Sequence, residues 1–370
     1  MIDIKKFINI LKKNDLKFCT GVPDSLFKDL CFQFEKSFKK NHITASNEGA
    51  AVAIGIGYHL KTKRIPLIYM QNSGLGNAIN PIISLADKNV FNIPLFLIIG
   101  WRGEKNHKFI DEPQHITQGK ETESFLKNLG IKYKIINSKS DYPKVIKLLK
   151  NYSLRNNKSV CLLIRKNSFQ KKTNKTKKIL TNLDKRESFL KKIVEELPKN
   201  SIIVSTTGIL SRELYEILKA KKNKLNNLMC VGGMGHAISI ATGIAKQTKK
   251  KVYCFDGDGA VTMHMGSLAI SSKLKNLVHI VFNNFSHESV GGHDNAAKHV
   301  SFFKLANILG YENSIFIKNI KDISKVVKKM IKSKKSSFIE IICSKGHRAN
   351  ISRPKEKMIY LKNTFQKRIK

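Results

Sequence analysis

EGAAVAIGIGYHLKTKRIPLIYMQNSG, residues 48–74, lies without a gap over MGHAISIATGIAKQTKKKVYCFDGDGA, residues 234–260, at an offset of 234 − 48 = 186. Gly49 meets Gly235, Ala51 meets Ala237, Ile54 meets Ile240 and Gly57 meets Gly243. Each copy reads as a helix of small residues, a basic turn, a short apolar strand and a polar loop. The same offset sets PLFLIIG (94–100) on IVFNNFS (280–286), strand on strand. The chain is therefore expected to hold two copies of one helix–strand–turn unit whose loops have diverged.

The rhythm extends outward on both sides. Strand-like runs occur at Lys17–Thr20, Pro66–Met70, Pro94–Gly100 and Val160–Ile164, and again at Ser201–Ser205, Lys251–Phe255, Val278–Phe282 and Ser337–Ile342, with helical patterns between them. Strands alternating with helices predict an α/β fold of two related domains, each a parallel sheet flanked by helices. KNSFQKKTNKTKK (166–178) is polar, basic and aperiodic. It marks a linker over 166–184 between a first domain at 1–165 and a second at 185–370.

The 68 Lys and Arg against 27 Asp and Glu give a formal charge of +41, which raises nucleic-acid binding as a rival function. The lysines are spread over every surface segment, and no zinc-finger spacing, RNP-type motif or basic-region heptad accompanies them. The reading is therefore a solvated surface that attracts a small anion, with no nucleic-acid partner. None of the six cysteines forms a CxxC pair, and most lie in apolar runs, as expected of reduced, buried thiols in the cytoplasm. No apolar run reaches the roughly 18–20 residues of a membrane span.

Two signals carry chemistry. In CFDGDGAVTMHMGS (254–267) a strand runs into Gly257-Asp258-Gly259, and a helix pattern follows at once. Glycines there let the backbone approach a ligand, and fresh helical N–H groups suit a phosphate. The next strand ends in Asn283-Asn284. Parallel neighbours end on the same sheet edge, so Asp258 and Asn284 should converge there as hard oxygen ligands for Mg²⁺. The second signal is Glu48, a carboxylate on a small, apolar helix whose counterpart in the other copy is the uncharged Met234. Packing does not require the acid, which points to a chemical role.

GDG followed by NN, with SNEGAA upstream, resembles the thiamine diphosphate-dependent 2-oxo acid decarboxylases over nearly the whole chain. No middle domain separates the halves. GVPDSL (21–26), GWRGE (100–104), DEPQH (111–115), TTGILSRELYE (206–216), GGMGHA (232–237) and NNFSHESVGG (283–292) are similar to the phosphonopyruvate decarboxylase branch, with the sulfopyruvate decarboxylases next. The departure is KNHKFI (105–110), where that branch has a short Pro-Gly turn.

The resemblance implies a pyrimidine-binding first domain, a diphosphate-binding second domain, and a cleft shared between subunits of at least a homodimer. It implies a carboxy-lyase of phosphonate biosynthesis that converts 3-phosphonopyruvate to phosphonoacetaldehyde and CO₂. It assigns Glu48 the hydrogen bond to N1′ of the aminopyrimidine, Met234 the support of the bent cofactor, and Gly232 a carbonyl to the 4′-amino group. Thr207, Gly257, Gly259 and Ala260 fall around the diphosphate, and Asp258, Asn284 and the Ser286 carbonyl hold Mg²⁺. Asn72 and Ser73 occupy the first-domain loop equivalent to GDG. Ser25 stands where relatives keep a residue near the reacting carbon, although PDSLFKDL also makes it a natural helix N-cap. Arg102, His115, His287 and Arg353 are candidates for gripping the anionic substrate.

Overall fold

The computed structural model describes residues 1–104, 111–170, 183–220 and 225–369. The chain divides into two compact units, Met1–Thr176 and Lys177–Lys370. The first contains β1 (Cys19–Gly21), β2 (His42–Thr44), β3 (Leu67–Gln71), β4 (Phe96–Gly100), β5 (Lys132–Ile136) and β6 (Val160–Ile164). They form one parallel sheet in the order β2-β1-β3-β4-β6-β5.

The second contains β7 (Ile202–Ser205), β8 (Asn226–Met229), β9 (Val252–Gly257), β10 (Leu277–Asn283), a short hairpin of β11 (Ser286–His287) and β12 (His293–Asp294), then β13 (Asn313–Ile317) and β14 (Ser337–Ile342). Its parallel sheet runs β13-β14-β10-β9-β7-β8. With the hairpin set aside and the strands counted within the unit, both sheets read 2-1-3-4-6-5, as duplication requires.

Helices on both faces explain why the inner strands are apolar without alternation. Along β3, Leu67 and Tyr69 enter one core layer while Ile68 and Met70 enter the other. In the second unit Tyr253 and Phe255 face one layer, Val252 and Cys254 the opposite one.

The repeat needs one correction. Leu67 pairs with Phe96, and its equivalent, Tyr253, pairs with Val278. The offset at this strand is therefore 278 − 96 = 182, so the first unit carries 186 − 182 = 4 extra residues in the preceding connection. The helix starts differ too. Glu48 begins the Glu48–Thr62 helix, whereas Met234 lies in a turn ahead of the Ala237–Lys246 helix.

The described ends of the expected linker are structured. Phe169 is buried, the Ile2 amide donates to the Ser168 carbonyl at 2.9 Å, and the Gln170 amide donates to the Ile2 carbonyl at 3.0 Å. In the other unit the Ser344 amide donates to the Asp184 carbonyl at 2.9 Å. Residues 171–182 and the KNHKFI segment lie outside the described residues. Among the described residues no helix is long and apolar enough to cross a membrane.

Chain order reverses between β1 and β3 in the first sheet and between β7 and β9 in the second. Ligands of open parallel sheets bind beyond the carboxyl ends of strands at such reversals.

Candidate active site

In the first unit Asn47 caps the helix by accepting from the Ala50 amide at 2.8 Å. This fixes Glu48 as the first helical residue, beside the end of β3. Its carboxylate is buried, and Oε2 accepts from Asn77 Nδ2 at 2.8 Å. A Cβ on Gly74 would stand 2.6 Å from Oε1, so a bare backbone at that turn is what admits the acid.

The ends of β1, β3 and β4 carry a second polar group. Arg102 donates through Nη1 to Ser25 Oγ at 3.0 Å and through Nε to Asp111 Oδ2 at 2.7 Å, while Nη2 reaches Asp111 Oδ1. Although burial opposes it, this bidentate pair holds the Asp111 carboxyl well below the usual range. Arg102 and Asp111 line a cleft with Trp101, Gly103 and Lys166. Ser73 accepts from Gln71 Nε2 at 2.7 Å.

The Asn72 amide clips the Arg102 segment to the sheet. It donates to the Arg102 carbonyl at 2.8 Å and Thr122 Oγ1 at 2.9 Å, and accepts from the Arg102 amide at 3.1 Å. His115 is buried in the first turn of the Pro113–Asn128 helix. Burial first, then Arg102, lowers its pKa.

In the second unit, β9 and β10 deliver Asp258 and Asn284 to one point. The Ser286 amide donates to Asp258 Oδ2 at 3.1 Å and to Asn284 Oδ1 at 3.1 Å. Phe285, at φ 58°, makes the tight turn that brings Ser286 back. Asn295 Nδ2 also donates to Asp258 Oδ2, at 3.1 Å. Burial pushes the Asp258 carboxyl up to about 6, against hydrogen bonds from Asn295, Gly259 and Ser286 that lower it. The Ser286 hydroxyl is buried without a partner among the described residues.

These groups line a cleft with about 460 Å³ of empty space, together with Thr207, Met234, Gly257, Ala260 and His287. A Cβ on Gly259 would stand 2.6 Å from His287 Nδ1, so glycine keeps that wall thin. Of the other expected residues, Gly232 lies in the loop after β8. Arg353 is exposed, beside a Ser352 whose amide donates to Glu216 Oε1 at 2.6 Å; it is not among the cleft-lining residues.

Three residues escaped the sequence reading. Asp24, adjacent to Ser25, is fully buried. Its Oδ1 accepts from the Leu26 amide at 2.9 Å, and Oδ2 has no partner among the described residues. Arg186 lines the second cleft and is locked bidentately on buried Glu213 at 2.7 and 3.1 Å. Glu288 accepts from Asn284 Nδ2 at 2.9 Å and thereby orients the Asn284 carbonyl oxygen. Burial would raise its pKa, but hydrogen bonds from His347 and the Gly346 amide, with Arg186 nearby, hold it below the ordinary value. GVPDSL did contain a signal for Asp24, since a carboxylate in an apolar turn is unusual. Glu288 lies inside the quoted NNFSHESVGG stretch, and no motif flags Arg186.

Two family descriptions match the units: the N-terminal TPP-binding domain of thiamine pyrophosphate enzymes over residues 5–146, and their C-terminal TPP-binding domain over 207–341. The chain belongs to the thiamine pyrophosphate enzymes. Phosphonopyruvate decarboxylase of Streptomyces viridochromogenes is 28% identical over 90% of this chain and 87% of its own length. Sulfopyruvate decarboxylase of Methanosarcina acetivorans is 27% identical over 93% and 92%. The alpha subunit of sulfopyruvate decarboxylase of Methanocaldococcus jannaschii is 34% identical over 42% of this chain and 88% of its own. Within the family the chain falls with these carboxy-lyases.

Proposed function

We propose that the protein decarboxylates 3-phosphonopyruvate to phosphonoacetaldehyde and CO₂, with thiamine diphosphate and Mg²⁺. The observation that carries the reading is the convergence of Asp258 and Asn284 on one Ser286 amide at the ends of neighbouring strands. An acidic oxygen, an amide oxygen and an adjacent backbone carbonyl form an all-oxygen donor set, which fits Mg²⁺ shared with a diphosphate. The Ser286 hydroxyl, without a partner among the described residues, and the glycine-thinned wall at Gly259 support a ligand in this cleft.

Asp258, Asn284 and the Ser286 carbonyl would hold the ion. The Gly259 and Ala260 amides would face the diphosphate, and Gly232 and Met234 would contact the ring end. Bound there, the cofactor supplies a nucleophilic carbon and an electron sink for the departing carboxylate. Glu48 would hold a proton at the pyrimidine nitrogen, the transfer for which a positioned carboxyl is suited. Arg102, held on Asp111 through Nε and Nη2, would meet the substrate's anionic group beside Ser25 with its remaining N–H groups.

The pyrimidine and diphosphate residues reside in different units, and a relative is itself a named subunit. We therefore read the working form as a homodimer or larger, with each cleft built from two copies. Sulfopyruvate is the second reading, favoured by relatives of that name at comparable identity. Steady-state kcat/KM on both 2-oxo acids, with thiamine diphosphate and Mg²⁺ each omitted in turn, tests both. A preference for sulfopyruvate overturns the first reading, and turnover without cofactor overturns both.

A further inference from the structure

Behind the cleft, the inner strands of the second sheet bury three chemically reactive side chains, of which Asp256 accepts from the Gly257 amide at 2.9 Å through Oδ1 and His279 packs edge-on against Phe338. Cys254 and Asp256 lie two residues apart on one face of β9, and His279 on β10 is the register partner of Cys254. All three are fully buried. Cys254 Sγ, a carboxylate oxygen of Asp256 and a ring nitrogen of His279 all lie within 4.8 Å of one another. Asp256 Oδ2 and both His279 nitrogens lack a hydrogen-bond partner among the described residues. Unsatisfied groups in a dry core cost about 1–3 kcal/mol each, so three together demand an explanation.

We propose that this cluster is a structural site for a thiophilic divalent ion, with zinc as the natural occupant. Its donors are a sulfur, an oxygen and a nitrogen, the mixture that selects Zn²⁺ over Mg²⁺. Thiolate, carboxylate and neutral imidazole carry two negative charges, so a divalent ion leaves the buried site neutral. His279 Nε2 and Asp256 Oδ2 are 3.5 Å apart. That is long for a hydrogen bond and close to the roughly 3.3 Å edge of a tetrahedron with ligands about 2.0 Å from zinc.

The ion would staple β9 to β10, the two strands whose ends present Asp258 and Asn284. The site shares no ligand with that oxygen set and does not depend on the proposed substrate.

The test is metal analysis of the full-length chain refolded with Zn²⁺ and dialysed against a weak chelator, followed by cobalt substitution. One equivalent of zinc per chain should survive a large excess of Mg²⁺. The cobalt form should show thiolate-to-cobalt charge transfer in the near ultraviolet. Cys254→Ser should abolish that band, while Asp258→Ala, which disrupts only the oxygen set, should keep it. Wild-type protein with neither stoichiometric zinc nor the band overturns the proposal, as does a band that survives in a folded Cys254→Ser variant. If Cys254→Ser fails to fold, the wild-type spectrum and metal content decide alone.

Discussion

Asp258 and Asn284 share a single donor, the Ser286 amide, 3.1 Å from an oxygen of each. One residue ends at the β9 edge and the other follows β10, so the shared contact ties the carboxyl ends of adjacent strands to one point. Residues 284 − 258 = 26 positions apart in sequence are thereby held side by side.

The first prediction concerns pH. Burial raises the Asp258 carboxyl to about 6 in the metal-free chain, and a divalent ion requires the ionised form. Mg²⁺ affinity should therefore fall as pH drops through about 6, approaching tenfold per unit below it. Stability of the metal-free chain should move the other way. Between about pH 4 and 6 the folded chain holds a proton that the unfolded chain has released, so stability declines as pH rises through that window. Calorimetric Mg²⁺ titrations across the window check the first effect, and Asp258→Asn should erase both.

Glu48 tests the other half of the chemistry. Gln at this position keeps the size of the side chain and can still accept from Asn77 Nδ2, the 2.8 Å contact of the wild type. Glu48→Gln should fold with unchanged thermal stability and lose about 10²–10⁴-fold in kcat, the scale of a proton-transfer group. A kcat near that of the wild type removes Glu48 from the reaction.

The elements that sequence reading did and did not find differ in a physical way. Every strand located by its apolar run is interior to a sheet, whereas β2, β5, β8 and β13 are the four edges. VCLLI in β6 is buried throughout, while KYKII in β5 is mostly exposed or half-exposed and NNLM in β8 mostly half-exposed. An edge strand has one neighbour and more solvent, so its composition resembles a loop. The site divides similarly. Asp258 and Asn284 were legible because strand ends aim them. Arg186 was not, since nothing in the sequence around it announces its buried partner Glu213; nor was Glu288, whose bond to Asn284 four residues away depends on the left-handed turn at Phe285.

Asp24 provides a stability test. Burial pushes its carboxyl up to about 7, against the Leu26 hydrogen bond and the Arg102 charge. The folded chain thus retains a proton that the unfolded chain loses near pH 4, and stability falls as pH rises from about 4 to about 7. Asp24→Asn removes this titration. It should be more stable than wild type by a few kcal/mol at about pH 8 and closely matched at about pH 4. Urea denaturation at the two pH values checks it; an equal difference at both contradicts the burial argument.

Arg186, on the wall of the same cleft as Asp258, forms a buried ion pair with Glu213, with hydrogen bonds of 2.7 and 3.1 Å and side chains 7% and 2% exposed. Removing one partner strands a charge in low dielectric. Glu213→Gln should therefore destabilise by about 3–5 kcal/mol, while Arg186→Met with Glu213→Leu should recover much of that loss. Arg186 also lowers the Asp258 and Glu288 pKa values through its charge. The double variant, although folded, should then bind thiamine diphosphate more weakly than wild type, because the cleft has lost a fixed positive charge facing an anionic ligand. Denaturant midpoints for the singles and the double, set beside cofactor titrations, separate the two effects. A double variant that regains stability and binds cofactor normally would limit Arg186 to packing.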